Sequence, residues 1–241
     1  MFGTFLRRIK GRFRRYHDDH ENAYWQQLSD AEVRSGAHRH FVGGMWSEIG
    51  ELQFDFLVAQ GLRPEHRLLD VGCGALRGGL HFVRYLEPGR YFGIDANDSL
   101  VRAGRHELAL AGLAQRGANL MVNERFDVSS FGAQFDFAIA ISVFTHLYLN
   151  HVVRCLAEVR RTLLPNGKFY ATFFEAPTAA HLAIITHRPG GVATHFDSDP
   201  YHYSFDELAR YGRHVGMHAE RVPNWQHPRD QRMICFTQRG E

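Results

Sequence analysis

Leu68-Leu-Asp-Val-Gly-Cys-Gly-Ala-Leu-Arg-Gly-Gly79 reads as a buried strand, a glycine turn and the opening of a helix. Leu68, Leu69 and Val71 make a short apolar run, and Gly72 and Gly74 allow backbone angles and close approaches that a side chain would block. A ligand can therefore lie against the backbone there. The unpaired N–H groups of a helix start attract an anionic or electron-rich group, and open α/β sheets bind their ligands at strand ends of this kind.

Counted from Gly72, a dinucleotide fingerprint G-x-G-x-x-G fails at its sixth position, Arg77, which weakens a nicotinamide reading. D-V-G-C-G is instead followed at a sheet-like distance by Tyr91-Phe-Gly-Ile-Asp95, a second strand ending in a carboxylate that can accept hydrogen bonds from two ribose hydroxyls. The pair resembles the class I S-adenosylmethionine-dependent methyltransferases, in which D/E-x-G-x-G-x-G lies against the cofactor and the later acid holds its ribose. Leu76 stands at the last glycine of that pattern, and Gly78 and Gly79 follow closely as an altered helix start.

The resemblance covers residues 67–174. It implies a seven-stranded sheet and S-adenosylmethionine as cofactor, with Asp70, Gly72 and Gly74 along the methionine side, Asp95 on the ribose and Asp127 beside the adenine amine. Ile141 and Ser142, ending the fourth strand, would face the methionine part and the transferred methyl. The flanks H-R-H-F-V-G-G-M-W (38–46), Y-H-Y-S-F-D-E-L (201–208) and W-Q-H-P-R (225–229) resemble a bacterial subgroup connected with glycan or small hydroxylated acceptors.

With 241 residues, 44% of them hydrophobic, the chain suits one α/β domain with a substantial core. A net charge of +2 gives no electrostatic pointer to nucleic acid. Cys73, Cys155 and Cys235 are too far apart for a disulfide framework or zinc cluster, so a reducing cytosol is the expected compartment. No apolar run approaches the roughly 20 residues that span a bilayer.

Residues 1–16 carry six basic side chains and no acid, with Phe2, Phe5, Leu6, Ile9, Phe13 and Tyr16 at helical spacing. Two readings stay open, a foot on a polyanion or an anionic membrane such as the inner membrane surface, or a terminal helix packed on its own domain or a partner subunit; a transit peptide is disfavoured by the acids Asp18, Asp19 and Glu21 that follow at once. Residues 1–60 are thus expected to form a basic helix and a helical extension or lid broken at Gly43-Gly44, and residues 61–241 the catalytic domain.

Helices are expected over Ala75–Leu86, Ser99–Ala111 (capped by Asp98 or Ser99), His146–Leu164 and Ser204–Val215. Strands are expected over Tyr91–Asp95, Leu120–Val122, Phe135–Ser142, Gly167–Phe174, after a turn at Pro165-Asn166-Gly167, and Met233–Thr237. Their alternation predicts a single doubly wound, Rossmann-like α/β domain with a mostly parallel sheet. The irregular stretch 176–200 is long enough to be functional or mobile.

An alcohol acceptor needs a proton acceptor, and His146, just past the fourth strand beside Thr145, is the candidate general base. Its alternative role is to cap or pack the following helix. Trp46, Thr145, Tyr201, His202, Tyr203, Trp225 and His227 are the candidate acceptor-binding residues; Trp225 has the equal alternative of closing the sheet edge. His181, His187 and His195 are further loop candidates, and no ligand spacing supports a metal.

The expected activity is O-methylation of a small polyhydroxylated acceptor, a sugar or oligosaccharide. A nicotinamide oxidoreductase would keep Asp95 but lacks the third glycine and a Tyr-x-x-x-Lys pair; a noncatalytic cofactor-binding interaction protein would keep both motifs. Nucleic acid is not expected as an acceptor, since no Asn/Asp-Pro-Pro-aromatic run follows the fourth strand. Self-association is left open.

Overall fold

The computed structural model describes residues 23–239, so the basic stretch 1–16 and both of its readings lie outside the described residues. The strands are β1 (Leu68–Val71), β2 (Tyr91–Asp95), β3 (Asn119–Val122), β4 (Phe135–Ala140), β5 (Leu163–Glu175), β6 (Ile185–His187), β7 (Val192–Thr194), β8 (His202–Tyr203), β9 (Met217–Arg221) and β10 (Arg232–Gln238). Eight of them form one sheet, seven in the order β3-β2-β1-β4-β5-β10-β9 and β8 pairing with β5 off that path. Strands β1 to β5 run parallel to one another, while β10 is antiparallel to both β5 and β9.

Alternation along the strands divides the core between the two faces of the sheet. Leu69, Ala138, Ala140, Phe169, Ala171 and Phe236 belong to one apolar cluster, and Leu68, Phe137, Ile139, Tyr170 and Cys235 to the other. A period of two in the side chains produces this division. Strand β5 starts earlier than expected: pairing jumps from Phe135↔Leu163 to Phe137↔Lys168, so Pro165-Asn166-Gly167 form an irregularity within the strand rather than a separate turn.

The helices are α1 (Asp30–Ser35), α2 (Ala37–Phe41), α3 (Trp46–Ala59), α4 (Gly79–Tyr85), α5 (Asp98–Leu110), α6 (Leu149–Thr162) and α7 (Phe205–His214). Helix α4 begins later than Ala75, because Leu76 adopts a left-handed φ of 67° inside the turn. Asn97, not Asp98 or Ser99, caps α5, its side chain accepting from the Ser99 and Leu100 N–H groups. Ser204 caps α7 in a reciprocal capping box with Glu207, of a kind worth about 1 kcal/mol.

The N-terminal helices are fastened to the domain. The buried Glu107 carboxylate on α5 lies 2.7 Å from His38 Nε2 and accepts from Arg39 at 2.8 Å. Burial alone would raise the pKa of Glu107, but Arg39 and His38 outweigh it and hold the carboxylate below its usual range. Trp46 stacks under the Arg39 guanidinium. The cluster at 38–46 is thus an anchor, with Val42 alone reaching the cavity described next.

The stretch 176–200 contains the β6–β7 hairpin. A buried polar chain fastens it: His187 Nε2 lies 2.9 Å from Thr194 Oγ1, which lies 2.9 Å from His202 Nδ1, and His202 Nε2 meets the His181 carbonyl at 2.8 Å.

Candidate active site

Strand order reverses between β1 and β4, and a cavity of about 280 Å³ opens at the adjoining strand ends. Asp70, Gly72, Gly74, Asp95, Ile141 and Ser142 line it, together with His146 and Tyr201. Gly72 has a φ of 69°, and a Cβ there would fall 2.5 Å from Val143 Cγ2, so the turn forms a backbone-walled cradle that only glycine allows.

Asp95 organises one end. Its Oδ2 accepts from the Gly74 N–H and its Oδ1 from the Asn97 N–H, each at 2.8 Å. Burial raises its pKa, against the pull of those backbone bonds. Asn97 in turn donates to the Tyr24 and Gln26 carbonyls, which draws the N-terminal segment across the cavity.

Asp70 lies deeper, accepting from the Tyr91 hydroxyl at 2.6 Å. Burial pushes it up to about 7, although the Tyr91 bond pulls the other way.

The end of β4 is held in a constrained shape. Ser142 has a φ of 59°; its N–H donates to Thr172 Oγ1 at 2.7 Å and its hydroxyl to Gln231 Oε1 at 3.1 Å. A single 3-10 turn, Phe144–His146, follows, so His146 precedes α6 instead of starting it. His146 Nδ1 lies 2.5 Å from Asp199 Oδ1, and its ring packs edge-on against Tyr24 at 4.6 Å between centroids.

Other candidates fall elsewhere. Asp127 is exposed and turned away, accepting from the Ser129 and Ser130 hydroxyls at 2.7 Å, while Asn123, Glu124 and Phe126 line the cavity at that end. Thr145 is buried and donates to the Ser142 carbonyl; its own carbonyl holds the Tyr201 N–H at 2.7 Å. His202 belongs to the buried polar chain, and the Tyr203 hydroxyl donates to the Leu147 carbonyl.

Trp225 is packed edge-on against Phe56 in the core and stacks on His227, which burial pushes down to about 4. Neither lines the cavity, nor do Trp46, His181, His187 and His195. Tyr24, Trp25, Gln53, Arg77, Tyr148 and Asp199 do line it, and apart from Arg77, met as the residue that breaks a glycine motif, no sequence pattern points to them.

Residues 69–169 match the family model of a methyltransferase domain. Among solved structures, magnesium protoporphyrin IX methyltransferase from Synechocystis shares 12% identity, with 90% of this chain and 88% of that chain covered and a TM-score of 0.59. A glycopeptide N-methyltransferase complexed with S-adenosylmethionine shares 15% identity over 79% of this chain and 94% of that one, with a TM-score of 0.62. An S-adenosylmethionine-dependent methyltransferase from Clostridium acetobutylicum shares 10% over 88% and 100%, with a TM-score of 0.63. At these identities the likeness is one of fold.

The match to a methyltransferase domain supports an enzyme. The site fits S-adenosylmethionine: the Gly72 cradle takes a ligand against the backbone, and the carboxylates of Asp95 and Asp70 both line the cavity. No helix among the described residues is long and apolar enough to cross a membrane.

Proposed function

We propose that the chain is an S-adenosylmethionine-dependent methyltransferase that moves the methyl group to a hydroxyl of a small polyhydroxylated acceptor, a sugar or oligosaccharide, with His146 as general base. The observation that carries this reading is the His146–Asp199 pair in the cavity wall beside the end of β4. S-adenosylmethionine, when bound, supplies a methyl group already activated on a sulfonium, so the protein's task is alignment and proton removal. In the tautomer that donates Nδ1–H to Asp199, Nε2 is the ring nitrogen that would take the hydroxyl proton.

The preference for a sugar is supported by the cavity mouth. Trp25 and Tyr148 are 49% and 44% exposed there, and Tyr148 packs on Tyr201 at 5.1 Å between centroids. Exposed flat rings beside a carboxylate suit the apolar faces and hydroxyl edges of a pyranose. They take the place of the wall expected from Trp225 and His227.

Methyl-labelled S-adenosylmethionine offered with matched hydroxyl and amino sugars, and with carboxylate and phenol acceptors, tests the reading. Label is expected as an ether on a sugar oxygen, lost in His146→Ala. Label found on nitrogen or carboxylate defeats it.

A further inference from the structure

We propose that Arg77 and Gln53 form the subsite that holds the carboxylate of the cofactor's methionine part, an inference that rests on the cofactor being S-adenosylmethionine. Arg77 stands in the cavity wall beside Asp70, Tyr24 and Gly78, and among the described residues it is the only lysine or arginine lining the cavity. Its Nη1 donates to the Val42 and Gly44 carbonyls, both at 3.0 Å. Its Nη2 and Nε have no protein acceptor among the described residues. Arg229, behind it, donates to the Gly43 carbonyl. Two guanidinium groups therefore converge on one short loop with carbonyls for partners.

No carboxylate among the described residues lies within ion-pair distance of either arginine, so the charge of Arg77 at the cavity wall is not neutralised by a direct protein partner. Burial and the neighbouring Arg229 charge lower Arg77 to about 10, which leaves it cationic at neutral pH. A half-buried guanidinium with open donors on a cavity wall can take an anion from a ligand, and its planar fork matches a carboxylate in two parallel hydrogen bonds.

Gln53 points to the same group independently. Its side chain is buried, lines the cavity and makes no hydrogen bond among the described residues, although a buried amide ordinarily has a partner. It is seated against the start of α4, where a Cβ on Gly78 would fall 2.4 Å from its Oε1. The carboxylate at the amino-acid end of the cofactor is the anion that Arg77 and the Gln53 amide would hold.

Titration calorimetry of the full chain with S-adenosylhomocysteine and with its decarboxylated analogue, which keeps the amine, tests the assignment. The parent is expected to bind the first ligand roughly 10- to 100-fold more tightly, the value of a charge-assisted bidentate contact. Arg77→Met should lose that preference, changing affinity for the decarboxylated ligand less than threefold. Gln53→Leu, which leaves the Val42–Gly44 loop untouched, should reduce the preference in the same direction and serves if Arg77→Met does not fold. Equal affinity of the parent for both ligands overturns the assignment, as does equal weakening of both by Arg77→Met, the mark of a residue that only props the loop. Failure of the parent to bind either ligand overturns the cofactor itself.

Discussion

Asp199 Oδ1 stands 2.5 Å from His146 Nδ1, joining a turn after β4 to a loop 53 residues further along the chain. The imidazole also packs edge-on against the Tyr24 ring, at 4.6 Å between centroids.

Removal of the base should hurt chemistry more than binding. His146→Ala and His146→Gln are expected to keep near-normal S-adenosylhomocysteine affinity by calorimetry while kcat falls roughly 10²- to 10⁴-fold, the usual worth of a positioned base. Turnover of the true acceptor within threefold of the parent makes His146 structural.

In the proposed mechanism Asp199 acts through His146, so its effect should be smaller and confined to kcat. Asp199→Asn is expected to slow transfer roughly 10- to 1,000-fold, because an amide no longer favours the Nδ1–H tautomer. KM for S-adenosylmethionine should stay within threefold, and Asp199→Glu should restore part of the rate. A rise in that KM with kcat unchanged assigns Asp199 to cofactor packing.

Asp95→Ala should weaken S-adenosylhomocysteine by roughly 2 to 4 kcal/mol, since the charge-assisted bonds to the ribose are lost. The variant also frees the Gly74 and Asn97 N–H groups that the carboxylate now holds. Unchanged calorimetric affinity removes Asp95 from the site.

Gly72→Ala adds a methyl group 2.5 Å from Val143 Cγ2 at a φ of 69°. A loss of about 1–3 kcal/mol in urea unfolding is expected, together with impaired cofactor binding. A variant as stable and as tightly binding as the parent contradicts the cradle.

Asp70 links stability to pH. Because burial holds its folded pKa at about 7, the folded chain keeps a proton that the unfolded chain has already released. The contribution to stability is full below the unfolded carboxylate range and is lost as pH rises toward about 7. Asp70→Asn still accepts from Tyr91 and cannot ionise. In the ligand-free state its gain over the parent should be larger at pH 8 than at pH 5, by on the order of 2–4 kcal/mol. An equal difference at the two pH values shows that Asp70 titrates as an ordinary carboxylate.

Local chemistry alone determined the first strand, the glycine turn and the second strand ending in Asp95, because an apolar run, a backbone freedom and a strand-end acid are each written within a few consecutive residues. The capping box of Ser204 and Glu207 is legible for the same reason, its two partners lying one helical turn apart. Only the tertiary structure decided which side chains surround the ligand. Asp127 turns outward because the preceding Phe126, at a φ of 58°, takes the place at the cavity and the neighbouring serines hold the carboxylate. Trp225 goes into the core against Phe56, and Trp25 and Tyr148 supply the exposed rings instead. Arg77 and Arg229 meet at one loop, and Asp199 meets His146, through the order in which the strands lie side by side. Hydrophobic periodicity specifies the face of an element that is buried, but not which distant polar groups that burial brings within hydrogen-bonding reach.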